Sequence, residues 1–150
     1  MRPRSNAAID CRARLRATRR SRGLALRCRS QPLALSADPA FKGDPAKLNP
    51  EQLLVLAASS CQLLSFLAVA ARARIDVVAY EDDAEGEMPE DDRPLRITRI
   101  TLRPIITIAG DAPDDERLRQ LTDTAHRHCF IANSLASEIR IEPTFHRAVT

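Results

Sequence analysis

The longest run of apolar residues in the chain, LLVLAASSCQLLSFLAVAARA, extends from Leu53 to Ala73. A helix start precedes it, because Asn49 can act as N-cap with Pro50 at the first helical position. Glu51 falls in the first turn, where the helix dipole favours a carboxylate. The pattern predicts a helix over about Pro50 to Arg72. Its apolar residues lie on nearly all sides, which predicts burial within the fold or in an oligomer interface.

The same apolar run is long enough to be considered as a membrane span. Its middle, however, contains four polar residues: Ser59, Ser60, Gln62 and Ser65. Polar groups in an apolar environment cost free energy unless they find partners, and nothing else in the chain resembles a span. The buried helix of a soluble protein is therefore the favoured interpretation.

Alternating and β-branched segments predict several strands around this helix. Pro104 interrupts the longest of them, LRITRITLRPIITI, and indicates an edge strand or a bulge. The acidic stretch Met88–Arg93 is predicted to be a turn or hairpin tip. The predicted strands lie around Leu33–Leu35, Ile75–Tyr80 and Ala84–Met88, within Leu95–Ile108, and over the closing SEIRIEPTF.

A second helix is predicted to begin near Pro113, with Asp111 or Ala112 at its cap. Residues spaced three or four apart form one apolar stripe along it: Leu118, Leu121, Ala125 and Cys129. The order of elements is strands, long helix, several strands, helix and strand, without regular βαβ alternation. The fold class is therefore α+β.

The charge is distributed unevenly along the 150 residues. Residues 1–30 contain ten arginines and one acid, Asp10, which gives that stretch +9 and leaves −6 for residues 31–150. We divide the chain into an arginine-rich arm, residues 1–30, and one folded domain, residues 31–150. An acidic domain with one tyrosine and no tryptophan is poorly suited to bind nucleic acid.

Four cysteines, Cys11, Cys28, Cys61 and Cys129, are widely separated, with no CxxC pair and no secretory pattern. This usage favours a reducing, cytoplasmic setting, where a cysteine pair is more often catalytic than structural. We expect no membrane association.

The segment AHRHCFIANS places Cys129 close to His126 and His128. Three chemistries could use this cluster: a metal site, a nucleophile with its base, or a redox pair. A zinc site needs three or four converging ligands, and the two histidines, two residues apart on a helix, point in different directions. No nucleophile elbow accompanies the cysteine, and a redox pair requires a second cysteine.

Cys61 is the candidate for that second cysteine. It lies in AASSCQLL, where two serines and a glutamine flank it at positions that a structural helix would give to leucine or alanine. Polar groups in a buried helix need partners, so the sequence indicates the wall of a pocket.

Four segments together resemble the OsmC/Ohr family of osmotically inducible and organic hydroperoxide resistance proteins. The segments are NPEQLLVLAASSCQLLSFLAVAA, VAYEDDAEGEM, ITRITLRPIITI and AHRHCFIANSLASEIRIEP, and the resemblance covers about Pro32 to Phe145. It implies an α+β fold in which a long central helix and a second helix pack with antiparallel sheets. It also implies an intertwined homodimer with two sites at the subunit interface.

The resemblance implies a thiol-dependent peroxidase for organic hydroperoxides. Cys61 matches the peroxidatic cysteine, Cys129 the resolving cysteine, and Glu51 the glutamate that partners an active-site arginine. No bound cofactor is implied, because an external dithiol such as dihydrolipoamide would reduce the Cys61–Cys129 disulfide. On one straight helix Glu51 and Cys61 would be roughly 15 Å apart, so we expect the glutamate to serve the partner's cysteine or to act through an intervening side chain.

The chain departs from the family pattern at two places. The arginine that holds the peroxidatic cysteine as a thiolate normally comes from an amino-terminal strand, and Arg20 and Arg22 stand at about the right distance, with Arg22 preferred. Gln62 follows Cys61 where the OsmC-like branch commonly carries histidine. Two rival functions stay open: a stress protein whose thiols sense or bind with little turnover, and an adaptor that docks through its basic arm.

Overall fold

The computed structural model describes residues 33–148, which form two units, residues 33–50 and residues 51–148. The second unit contains α-helices, short 3-10 turns and two sheets. The helices are α1 (Pro50–Arg72), which starts at the last residue of the first unit, and α2 (Asp115–Arg127). The strands are β1 (Asp76–Asp82), β2 (Glu85–Glu87), β3 (Arg99–Leu102), β4 (Pro104–Ala109), β5 (Glu138–Ile141) and β6 (Thr144–Arg147).

The first unit is an irregular loop closed by side-chain contacts. The carboxylate of Asp38 accepts a hydrogen bond from the backbone of Ala40 and caps the 3-10 turn Pro39–Phe41. The strand predicted around Leu33–Leu35 is not formed, since Leu35 makes only an isolated bridge to Leu48. The segment DPAFKGDP, Asp38 to Pro45, contains two Asp-Pro pairs and a glycine, which favour turns over a ladder.

Helix α1 has the predicted bounds, Pro50 to Arg72. One face is buried and carries Ala58, Gln62, Phe66, Val69 and Ala70. By length and composition the helix could cross a membrane, and 28% of its apolar window is buried within the chain. Its opposite face leaves three leucines exposed: Leu56, Leu64 and Leu67.

The strands form two three-stranded sheets with the orders β2-β3-β5 and β1-β4-β6. Each sheet is mixed, because β2 pairs with β3 and β1 with β4 in antiparallel fashion, whereas β5 and β6 pair in parallel with the central strands. The resemblance implied antiparallel sheets, and the structure corrects this with the two parallel pairs. The α+β class is confirmed, with helices packed against mixed sheets.

Three pairs of successive strands, β1–β2, β3–β4 and β5–β6, cross from one sheet to the other over one or two residues. Asp82 lies at the end of β1, where this break occurs, and both of its carboxylate oxygens accept hydrogen bonds. Oδ1 accepts from the backbone N–H of Arg103 at 2.7 Å, and Oδ2 accepts from the hydroxyl of Ser59 on α1 at 2.5 Å. This carboxylate therefore ties α1 to the line along which the two sheets separate.

Pro104 is the first residue of β4, a central strand, and it is buried. The prediction of an edge strand at this proline is wrong. Proline is tolerated here because the first residue of a strand, next to the break at Arg103, is a position where the missing N–H interrupts no ladder.

The outer face of the sheet β2-β3-β5 carries a ladder of arginine and glutamate side chains. Exposed ion pairs of this kind contribute little individually to the free energy of unfolding. Arginines near β3 lie between glutamates of the two neighbouring strands, as the observed register requires. The pairs join Arg99 to Glu87 and Glu138, and Arg103 to Glu85 and Glu142.

Two hydrophobic clusters form the core, one on each sheet. Ala58 from the first half of α1 packs with Ile100 and Leu102 of β3. Phe66 from the second half packs with Ile106 of β4 and with Leu118 of α2. Helix α1 therefore covers both sheets with one continuous face.

Helix α2 begins at Asp115, later than the predicted start near Pro113. Its N-cap is Asp114, whose side chain accepts a hydrogen bond from the backbone N–H of Arg117 at 2.8 Å. The prediction of Asp111 or Ala112 as the cap is wrong. Three aspartates are available in the segment DAPDDE, and the one three residues before a free N–H provides the cap.

We predict that Asp82→Ala destabilises the fold, because it leaves the Ser59 hydroxyl and the Arg103 N–H without an acceptor. The expected loss in the free energy of unfolding is about 1–3 kcal/mol, measured by urea denaturation at one fixed protein concentration. Asp83→Ala is the matched control, since this neighbouring aspartate is exposed. Equal stability of the two variants would contradict the role assigned to Asp82.

Candidate functional site

Cys61 lies in the middle of α1, between the parts of the helix that serve the two core clusters. Ala58, three residues before it, belongs to the cluster on β3, and Phe66, five residues after it, belongs to the cluster on β4. The side chain is half-buried and carries a free thiol. The thiol is thus positioned by a helix that packs into both core clusters.

Cys129 follows the end of α2 by two residues and is 1% exposed. Its backbone N–H donates to the carbonyl of His126 at 3.0 Å, and its carbonyl accepts from the N–H of Asn133 at 3.0 Å. Its Sγ accepts a hydrogen bond from the backbone N–H of Ala132 at 3.4 Å. The sulfur therefore lies inside a tight turn between α2 and the 3-10 turn Ala132–Ser134.

The structure brings Cys61 and Cys129 together. The two thiols lie close enough for Cys61 to raise the pKa of Cys129, although the residues are far apart in sequence. Both are free thiols, so the pair is in its reduced form. Two free thiols placed near one another are candidates for a reversible disulfide.

The Cys129 thiol resists ionisation. Burial raises its pKa, and the hydrogen bond and charge of Cys61 raise it further, whereas the N–H of Ala132 acts in the opposite direction. The resulting pKa is about 11, above the ordinary thiol value of 9.0. At neutral pH Cys129 is therefore protonated.

Three polar side chains of the same region have a buried atom without a hydrogen-bond partner within the described residues: Gln62 Oε1, the hydroxyl of Tyr80 and His126 Nδ1. The amide nitrogen of Gln62 donates to the backbone carbonyl of Thr122 at 3.3 Å, which ties α1 to α2. Gln62 thus points towards α2, and its amide group contributes a hydrogen bond between the two helices.

Tyr80 projects from β1 into the core, where its ring lies 6.1 Å from that of Phe66 between centroids. Burial raises the pKa of its hydroxyl, with smaller contributions from the charges of Asp82 and Cys129. Tyr80 was not among the site residues predicted from the sequence. Its signal was weak: the only tyrosine of the chain, on the inward side of a predicted strand.

Glu51, which was also proposed from the sequence, is not brought to the cysteine pair of its own chain. Glu51 is half-buried in the first turn of α1 and lies ten residues before Cys61 on the same continuous helix, which corresponds to roughly 15 Å. Arg22 and Arg20 lie outside the described residues. In residues 33–148, no group of three or more histidine, cysteine or acidic side chains is arranged to hold a metal ion.

Known proteins resemble this chain in sequence and in fold. The family model described as OsmC-like protein matches residues 42–144. Among solved structures, an OsmC-like protein of unknown function from Vibrio cholerae is 32% identical, with a TM-score of 0.73 over 77% of this chain and 79% of that one. A search of curated proteins gives no match.

Two further structures share the fold at lower identity. A putative organic hydroperoxide resistance protein from Vibrio cholerae, with captopril in one active site, is 24% identical with a TM-score of 0.59, over 77% of this chain and 76% of that one. An organic hydroperoxide resistance protein from Legionella pneumophila is 16% identical with a TM-score of 0.58, over 77% and 82%.

The raised pKa of Cys129 predicts a pH dependence of stability. The folded state holds the thiol proton more tightly than the unfolded state, so nothing is lost below pH 9 and stability falls as pH rises towards about 11. Cys129→Ala removes this group, and its melting temperature should fall less steeply between pH 9 and 11 than that of the wild type. Thermal denaturation of both proteins across this range tests the prediction, and parallel pH profiles would contradict it.

Proposed function

This chain belongs to the OsmC-like protein family, and we propose from that premise that it is a thiol-dependent peroxidase that reduces organic hydroperoxides. The observation that carries the proposal is the proximity of two free thiols, Cys61 and Cys129, which is close enough for Cys61 to raise the pKa of Cys129. Two proteins of the same fold bear the name organic hydroperoxide resistance protein, which gives the substrate class.

The reaction begins with nucleophilic attack. The thiolate of Cys61 attacks the distal oxygen of the hydroperoxide, the O–O bond breaks, and Cys61 becomes a sulfenic acid while the alkoxide takes up a proton and leaves as an alcohol. Cys129 then attacks the sulfur of the sulfenic acid, a disulfide forms, and water leaves. The peroxide gains two electrons and the two thiols together lose two.

An external reductant closes the cycle. A dithiol such as dihydrolipoamide attacks the Cys61–Cys129 disulfide, passes through a mixed disulfide and leaves oxidised. The protein needs no bound cofactor for this chemistry. Both thiols must start reduced, which fits a reducing cytoplasmic compartment.

The surroundings of Cys61 favour an organic substrate over hydrogen peroxide. Its neighbours on the same face of α1 include Leu54 and Ala57, which lie seven and four residues before it and are half-buried. An alkyl or aryl group gains free energy when it leaves water for such a surface, whereas hydrogen peroxide has no apolar part to bury.

Activation of Cys61 requires a positive charge, since an apolar site disfavours a thiolate. We assign this charge to Arg22, from the family resemblance. Glu51 orients that arginine in the site of the partner subunit, because the continuous helix keeps it about 15 Å from the Cys61 of its own chain.

We propose a homodimer, which the surface of α1 supports. Three leucines on one face of this helix remain exposed: Leu56, Leu64 and Leu67. Apolar surface of this kind is typical of a protein interface. A second copy of the chain, placed face to face along α1, would bury these leucines.

We predict that the protein consumes cumene hydroperoxide steadily in the presence of dihydrolipoamide, and that Cys61→Ser abolishes this turnover. The double variant Cys11→Ser, Cys28→Ser is the control and should retain it, since neither cysteine belongs to the proposed pair. The assay follows hydroperoxide loss by a colorimetric method. Slow, stoichiometric oxidation of the wild type without turnover would instead support a thiol sensor, the second candidate function.

We predict that Leu64→Lys breaks the dimer. Leu64 is 67% exposed in the single chain, so the substitution leaves the subunit core intact but places a charge in the proposed interface. Light scattering coupled to gel filtration should give a mass near 16.6 kDa for the variant and twice that for the wild type. Leu95→Lys, at an exposed leucine outside the helices, is the control and should remain dimeric.

A further inference from the structure

The end of α1 and the start of α2 border a surface cavity of about 340 Å³. We propose that this cavity is a binding site for a small organic carboxylate. It is distinct from the cysteine pair, because the distance from Cys61 to the end of α1 at Arg72 is roughly 16 Å along the helix axis. The residues that line the cavity include charged and apolar ones: Arg74, Arg117, Asp111, Ile75, Ala112 and Pro113.

The backbone of Arg74 is the first observation that points to a ligand. Its φ is 59°, in the left-handed region that favours glycine. The N–H groups of Arg74 and Ile75 donate to the carbonyls of Ala71 and Ala70 in the last turn of α1, at 3.1 and 2.9 Å. Helices commonly end in this way with glycine at the left-handed position. Arginine costs free energy there that glycine does not, so the fold alone does not account for this side chain.

The guanidinium groups of the two arginines have donors to spare. Arg74 is exposed, and its side chain forms no ion pair or hydrogen bond with another residue in the range 33–148. Arg117 donates from one guanidinium nitrogen to Gln120 Oε1 at 3.3 Å. A guanidinium group carries five N–H donors, and two of them arranged as a fork match the two oxygens of a carboxylate. Both arginines can therefore donate to a carboxylate in the cavity.

The neighbouring acidic residues leave the cavity with a net positive charge. The carboxylate of Asp114 accepts from the backbone N–H of Arg117 and caps α2, and Asp115 accepts from the guanidinium group of Arg147 at 2.8 Å. Asp111 lines the cavity and forms no ion pair within the part of the chain that the structure describes. The lining side chains thus carry two positive charges and one negative charge, which match an anion of one charge better than a multiply charged one.

The apolar part of the lining favours an organic anion. Ile75, Ala112 and Pro113 are half-buried, and the first two pack against the core cluster on β4. An apolar body beside the carboxylate gains free energy when it leaves water for this surface. The cavity volume is near the lower end of the range for ligand sites, about 300–1,000 Å³. A single aromatic or short aliphatic acid is therefore the class of ligand that fits.

The test compares benzoate with benzamide, which has the same ring but no charge. An NMR titration of the backbone amides of the full chain, at low salt and pH 7, gives the dissociation constant and shows whether the shifts map to the cavity. Inorganic phosphate is the third probe, as an anion without an apolar body. The variants are Arg74→Gly, Arg117→Gln and Asp111→Asn, with Arg119→Gln as the matched control, since this exposed arginine of α2 does not line the cavity.

We expect benzoate to bind the wild type at least about tenfold more tightly than benzamide, and Arg74→Gly and Arg117→Gln each to weaken benzoate binding about tenfold, the scale of hydrogen bonds to a charged group. Asp111→Asn should strengthen it, because a like charge is removed, and Arg119→Gln should leave it unchanged. Equal affinity for benzoate and benzamide, or for benzoate and phosphate, would overturn the proposal. An equal loss in Arg119→Gln and Arg74→Gly would also overturn it, since it would show general attraction to a basic surface.

Arg74→Gly also separates ligand binding from folding. Without ligand its melting temperature should rise by about 2–4 °C, because glycine relieves the left-handed strain, while its affinity for benzoate falls. A lower melting temperature would show that the arginine stabilises the fold, and the argument from strain would fail. Hydroperoxide turnover is a separate readout: Arg74→Gly should match the wild type, and the binding result holds whether or not the protein is a peroxidase.

Discussion

One helix has to cover two small sheets, and the placement of both cysteines depends on how it does so. The buried face of α1 runs from Ala58, over β3, to Phe66 and Ala70, over β4 and α2. A sheet of three strands needs an apolar face that is covered, here by a helix, to be stable. The helix therefore crosses the line between them, and a residue near its middle necessarily lies where the two cores meet.

Cys61 occupies that middle position, and Cys129 reaches it from the other side. Ala125, four residues before Cys129, packs in the cluster on β4, while Ile131, two residues after it, packs against the cluster on β3. The chain between them passes from one core to the other, so Cys129 is held at the same junction. Packing against both clusters holds the two cysteines at this junction. Cys129 lies in a turn rather than inside a helix, and turns open more easily than helix interiors.

The sequence was sufficient for the elements whose pattern is local. Helix α1 was predicted from Pro50 to Arg72 because its start signal and its apolar run are both continuous. The division into two sheets was not predictable, since Pro104 reads as an edge residue until the partner strands are known. The N-cap of α2 was not predictable either, because three aspartates precede the helix and only the structure shows that Asp114 accepts a hydrogen bond from a backbone N–H of the first turn.

The candidate site shows the same limit. Family resemblance, rather than periodicity, joined Cys61 to Cys129, and their proximity depends on tertiary packing that no short segment encodes. Tyr80 and Asp82 were not predicted, because their roles depend on tertiary surroundings. Tyr80 packs against an apolar cluster, and Asp82 accepts hydrogen bonds from Ser59 and Arg103 where the two sheets separate.

The two parallel pairings have a consequence for the newly made chain. Strands β5 and β6 follow Cys129 in the sequence and pair with β3 and β4, which precede α2. Closing such long loops costs entropy, so these pairings form late, after synthesis of the final strands. Under the proposed function, Cys61 in such a chain would lack the sulfur that resolves its sulfenic acid, and further oxidation of that acid is irreversible. The proposed function thus implies that the nascent protein is more vulnerable to peroxide than the finished one.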